Sequence, residues 1–134
     1  MFKDTIIEEK TSLADVLREI DLNFLDAGEY GITVDEAVKY VDHHHFYFLD
    51  VRTDDELKEL SFSYAHHIPL EVLPDRISEL PRDKFIITFC MTGFRAAMAY
   101  AFLRTEGFDE IKILKGQIND LTSYVTTELS MLAP

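Results

Sequence analysis

Apolar residues recur at helical spacing over the first third of the chain, then shift from Phe46 onward to short unbroken apolar runs separated by polar segments. In the stretch 11–28, TSLADVLREIDLNFLDAG, the positions Leu13, Val16, Leu17, Ile20, Phe24 and Leu25 fall on one face of a helix. Such a stripe packs against a core or a partner. Ser12, with Asp15 three residues on, makes a weak capping box at its start, and Gly28 supplies a stop. Thr33 then opens a second helix, TVDEAVKYV, with Val34, Ala37, Val38 and Val41 as its inner face.

The later runs predict strands alternating with helices. They are a strand FYFLDV from Phe46, a helix from Asp54 to about Leu60, an extended AHHIPL and a helix from about Leu73 to Leu80 bracketed by Pro74 and Pro81. A strand FIITFC follows, then a helix over 95–106, a strand IKIL and a last helix from Gln117 to about Met131. This alternation argues for an α/β layer structure with a mainly parallel sheet, because parallel neighbours need crossover helices. FYFL and FIITF are apolar without alternation, as expected of strands covered on both faces. Ligands of open parallel sheets sit at the carboxyl ends of the strands. Cys90 and Asp50 both occupy such ends.

A length of 134 residues fits one domain with a real core. Thirteen basic residues against 25 acidic ones give a formal charge of -12, which repels phosphate backbones and anionic lipid at long range. Neither nucleic acid nor membrane is an expected partner. The segment MFKDTIIEEK lacks an apolar signal core, and no apolar run approaches the roughly 20 residues that cross a bilayer. One cysteine forms no internal disulfide, which fits a reducing compartment, so a cytoplasmic location is expected. An anion site on so acidic a chain must be built locally from backbone N–H groups and an arginine.

The loop after Cys90 offers that combination. A strand ends at Cys90, a short turn runs through Met91, Thr92, Gly93 and Phe94 to Arg95, and a helix rich in Ala, Met, Phe and Leu continues to Gly107. A thiol at a helix N-terminus meets free N–H groups and the positive end of the helix dipole, both of which favour thiolate. The alternative is a buried structural cysteine, a common fate for this residue type; the turn and the arginine favour the nucleophile.

With these residues in view, the chain resembles the rhodanese family of single-domain sulfurtransferases. LDVRTDDEL (49–57) resembles the family's strand-end Asp-Val-Arg followed by an acidic helix start, and AHHIPL (65–70) its Ala-x-x-Ile-Pro element. CMTGFRAAMAYAFLRTEGF (90–108) resembles the active-site Cys, Gly, Arg and following helix, and IKILKGQIND (111–120) the last strand with its Gly turn. The four segments span about residues 32–121 in the family's order. The resemblance implies an α/β fold around a central five-stranded, mainly parallel sheet with helices on both faces. An N-terminal helical extension, 1–31, would pack on a rhodanese-like domain, 32–134.

It also implies that Cys90 accepts a sulfane sulfur from a small-molecule or protein donor as a persulfide and passes it to a thiophilic acceptor such as cyanide or a thiol, with no cofactor and no metal. Met91, Thr92, Gly93, Phe94 and Arg95 would bind the substrate, with Gly93 turning the backbone where a side chain would block the sulfur and Arg95 pairing with an anionic donor or the persulfide. Arg95 lies five positions after Cys90, the spacing of sulfurtransferases; the related dual-specificity phosphatases carry one residue more. The family's Gly-His-Ile element reads Leu60-Ser61-Phe62 here, its Gly-Gly turn Gly116-Gln117, and Leu121 stands where a Trp is common. With Met91 and Phe94 apolar and Arg95 the only cation of the loop, thiosulfate is expected to be a poor donor and a persulfide a better one.

Asp50 and Arg52 are candidate supports of the loop or, on the bland reading, a buried ion pair. Glu56 reads as helix N-terminal charge and nothing more. His43, His44 and His45 read as a solvated turn, since three adjacent histidines cannot all face one metal. Of His66 and His67, one is expected to face inward and bond backbone. Two other functions stay open: a non-catalytic docking module on the same fold, and a redox sensor whose single thiol would need a second molecule to resolve it. A homodimer is a further candidate, should the stripe over 12–27 lie exposed.

Overall fold

The computed structural model describes residues 10–121, and the fold follows from where their side chains find cover. Helices α1 (Leu13–Glu19) and α2 (Leu22–Ala27) precede strand β1 (Gly31–Thr33) and the short helix α3 (Val34–Ala37). Strand β2 (Phe46–Asp50), helix α4 (Asp54–Glu59), strand β3 (Ala65–His67), strand β4 (Phe85–Phe89), helix α5 (Phe94–Thr105) and strand β5 (Ile111–Lys115) complete the order. The five strands form one sheet in the order β1-β5-β4-β2-β3, every pair parallel.

Residues of alternate parity on β2 and β4 go to opposite faces. Tyr47, Leu49 and Ile86 join one core with Leu103, Ala99 and Ala96 of α5, while Phe48, Ile87 and Phe89 join the other with Ile32, Ala37, Leu114, Ile118 and Leu121. Two covered faces account for strands that read as unbroken apolar runs. Helix α1 lies against α5: Val16 is fully buried, the Thr11 N–H donates to the Thr105 carbonyl, and Glu19 pairs with Arg104 at 2.8 Å. On the outer side Leu13, Leu17, Leu22 and Leu25 remain exposed, and on this stripe the homodimer expectation rests.

Four expectations change. The helix expected over 11–28 is two helices, because Asp21 accepts the Phe24 N–H at 2.9 Å and so caps a new start one residue after Ile20 leaves helical geometry. Thr33, expected only to open a helix, also closes a strand, Gly31–Thr33, that pairs with β5. The helix expected over 73–80 is two 3-10 segments, Leu70–Asp75 and Ile77–Glu79. Pro74 has no N–H for an α-helical bond, so the chain closes shorter i to i−3 rings such as Arg76 to Leu73. The helix TVDEAVKYV keeps Thr33 as its cap but is α-helical only to Ala37 before tightening to 3-10 over Val38–Tyr40. Residues 118–121 begin the last helix; the rest of the predicted 117–131 lies outside the described residues.

Candidate active site

Strand β4 delivers Cys90 to the carboxyl edge of the sheet, where Asp50 of β2 is in register with Phe89 and the Val51 N–H donates to the Phe89 carbonyl. Cys90 is 3% exposed. Its Sγ accepts two backbone hydrogen bonds, from Gly93 N–H at 3.2 Å and from Ala96 N–H at 3.3 Å. The first turn of a helix has no intrahelical acceptors for its N–H groups. In α5 the first regular bond runs from Ala97 to Gly93, and Gly93 itself offers no side-chain cap, so Sγ caps the Ala96 N–H in its place. The Thr88 hydroxyl donates to the Ala96 carbonyl at 3.1 Å, which ties the same residue to β4 from its other end. Two N–H donors aimed at one sulfur make a cradle of the kind that suits an anionic acceptor.

Gly93 has φ +97°, the left-handed region, and a Cβ there would meet nothing within 4 Å. The sequence reading that a side chain at 93 would block the sulfur is therefore corrected: backbone conformation, not space, demands glycine. Met91 and Phe94 are exposed and give the loop an apolar outer face with Thr92 between them, and of the predicted loop residues Gly93 bonds the sulfur directly.

Asp50 and Arg52 are both 1% exposed and form a buried pair. Arg52 Nη2 donates to Asp50 Oδ2 at 2.6 Å and to the Leu60 carbonyl at 3.0 Å, while Nε donates to Asp50 Oδ1 at 2.9 Å. The guanidinium also lies over the Phe62 ring. His67 Nε2 meets the Arg52 carbonyl at 2.6 Å, making His67 the inward histidine of its pair, whereas His66 stacks on Tyr47. The pair thus fixes the chain leaving β2 and does not reach the sulfur through any hydrogen bond of its own. His43, His44 and His45 stack on one another in the turn before β2, with His43 Nδ1 accepting from the His45 N–H.

Glu56 is the residue that sequence reasoning misplaced. It does serve the start of α4, where Thr53 and Glu56 form a reciprocal capping box. That box turns its carboxylate back toward the Cys90 loop, where Arg95 Nη1 and Nη2 donate to Glu56 Oε1 and Oε2 at 2.7 and 2.8 Å. The Arg95 bonds are the main cause holding the Glu56 carboxyl down at about 2, against the opposing effect of burial. Glu56 in turn raises Arg95, with Cys90 and Asp50 also within electrostatic reach of the guanidinium. The expectation that Glu56 is only helix charge, and that Arg95 stands ready for an anion, gives way to a bidentate ion pair within the site. Thirty-nine residues separate the partners, and the one available signal was the Thr-x-x-Glu box, which points the carboxylate toward the sheet edge. Beside the pair lies a cavity of about 220 Å³ lined by Arg52, Glu56, Glu59, Leu60, Met91, Ile118 and Asn119. Among the described residues no group of three or more His, Cys, Asp or Glu is placed to hold a metal, and no helix is long and apolar enough to cross a membrane.

The chain has known relatives. A sulfurtransferase of Allochromatium vinosum is 31% identical over 70 residues, an alignment covering 52% of this chain and 65% of that protein. A tRNA uridine(34) hydroxylase of Enterobacter sp. is 30% identical over 112 residues, which cover 79% of this chain but 32% of the relative, so the chain spans only part of the length of such proteins. The crystal structure of a rhodanese-related protein from Thermoplasma volcanium superposes with a TM-score of 0.62 at 28% identity, covering 70% of this chain and 91% of that one. The family model for the rhodanese-like domain matches residues 33–123, and with five parallel strands presenting the Cys90 loop at their edge the chain belongs to the rhodanese-like domain family.

Proposed function

We propose that this chain is a sulfurtransferase that carries a sulfane sulfur on Cys90. The observation that supports this most directly is the sulfur's own environment, two backbone N–H groups converging on Sγ at the mouth of α5. In the first half-reaction the Cys90 thiolate attacks the terminal sulfur of a donor. The donor's S–S bond breaks, its electron pair leaves with sulfite or a thiolate, and Cys90 becomes a persulfide anion. In the second half, cyanide or an acceptor thiolate attacks the outer sulfur and the Cys90 thiolate leaves. Each half shifts one sulfur and conserves charge, so no outside oxidant or reductant enters. The two N–H donors serve both states, stabilising the thiolate and then the persulfide. Relatives named sulfurtransferase support the same reading. These 134 residues hold no second cysteine to take the sulfur on, so the acceptor is a nucleophile outside them, such as cyanide or another thiol.

Intact mass spectrometry after exposure to thiosulfate, and separately to a low-molecular-weight persulfide, tests the proposal. A gain of one sulfur mapped to Cys90, removed by cyanide and absent in Cys90→Ser, is expected. No adduct with any donor, or an adduct retained in Cys90→Ser, overturns it.

A further inference from the structure

We infer that Glu56 sets the class of sulfur donor, excluding dianions such as thiosulfate and admitting persulfides of lower charge. The inference rests on the sulfur-transfer reading and adds to it the residue responsible for selectivity. Arg95 is the sole cation among residues 90–95, and both of its terminal nitrogens are committed to one carboxylate. A guanidinium paired in this bidentate way presents little net charge to a third group. The other nearby arginine, Arg52, is buried and spent on Asp50. The cavity beside the loop is lined by Glu56 and a second carboxylate, Glu59, with Leu60, Met91, Ile118 and Asn119, and by Arg52, whose guanidinium Asp50 already holds. A doubly negative donor approaching Cys90 therefore meets a neutralised cation, an apolar rim and the carboxylate of Glu59. A donor whose outer sulfur sits on an uncharged or cationic stem loses nothing there. Glu56 acts on the donor through Arg95 and is a positioning residue, not one that touches the reacting sulfur.

The test uses the full chain with three donors, thiosulfate, cysteine persulfide and cysteamine persulfide, and cyanide as acceptor, reading kcat/KM from thiocyanate formed. Glu56→Gln keeps an oxygen for the Thr53 N–H, since glutamine also completes the capping box, but removes the charge opposite Arg95. We expect kcat/KM for thiosulfate to rise about tenfold, as unmasking one cation near a partly buried site predicts. Cysteamine persulfide should change less than about threefold on the same reasoning. Glu56→Asp, which keeps the charge, should retain the parent preference, and Glu59→Gln should raise thiosulfate turnover by less than Glu56→Gln does. If Glu56→Gln does not fold, the double variant Glu56→Gln/Arg95→Gln removes both charges and should keep the parent donor ratio; selective loss of thiosulfate turnover in it would overturn the inference. So would an equal change for all three donors in Glu56→Gln. A parent protein that takes sulfur from none of them removes the sulfur-transfer reading itself, whereas an active parent with an unmoved donor ratio removes only the role of Glu56.

Discussion

Gly93 shows how one residue's requirement can be mistaken for another. A Cβ at this position meets open space, yet φ is +97°, so an alanine there must bear the left-handed conformation, at about 1–2 kcal/mol. Gly93→Ala is expected to lower the unfolding free energy measured in urea by that amount while still forming an adduct on Cys90; a stable variant with no adduct would mean that the side chain blocks the sulfur after all. Asp50 and Arg52 represent the opposite case, since nearly every polar atom of the pair is matched inside the protein. Asp50→Ala leaves a buried guanidinium without its partner, at roughly 3–5 kcal/mol, and should unfold the chain at far lower urea than any loop variant. Glu56 adds a dependence on pH. Its folded carboxyl titrates at about 2 against an ordinary 4.5, so the stability it confers is complete above pH 4.5 and drains away as pH falls towards 2. Denaturation midpoints of the parent should therefore fall over that window more steeply than those of Glu56→Gln, and parallel curves would contradict the ion pair.

At the scale of elements, local chemistry was readable and distant pairing was not. Thr33 and Ser12 cap helices as their sequence positions suggested, and Thr53 does the same just before the helix expected from Asp54, each accepting from the N–H three residues on. Replacing Thr53 by alanine should cost about 1 kcal/mol of stability, measurable by thermal melting, and because the same box aims Glu56, it should also loosen the preference among sulfur donors. The strands β2 and β4 and the helix after Cys90 were legible because long apolar runs and a glycine turn leave few alternatives. Strand β1 was not, since three residues carry no period and its pairing is with a strand eighty residues away. The break at Ile20–Asp21 was hidden because the apolar stripe continues across it, although Asp21 was in plain view as a cap. The pair of Glu56 and Arg95 exists only once β2 and β4 lie side by side, and no spacing rule announces it.

For the molecule as a whole, a formal charge of -12 acts on every encounter before any local contact forms. Anionic donors are repelled at long range, and added salt screens that repulsion within about 10 Å at 0.1 M. The rate with thiosulfate should therefore rise on going from low to moderate salt, while that with cysteamine persulfide stays level; a thiosulfate rate that falls with salt would point to a net attractive site. The exposed leucines of α1 and α2 are the surface on which a second copy would sit, and a monomeric mass by light scattering at high concentration would remove that expectation. Depth distinguishes the two halves of the proposed cycle. The resting sulfur is almost sealed from solvent, and a second sulfur bonded to it reaches about 2 Å further. What the surroundings then meet is the cargo and not the carrier. A chain built this way can stay indifferent to bulky thiol reagents while empty and become conspicuous only when loaded, so occupancy itself would be its signal to whatever collects the sulfur.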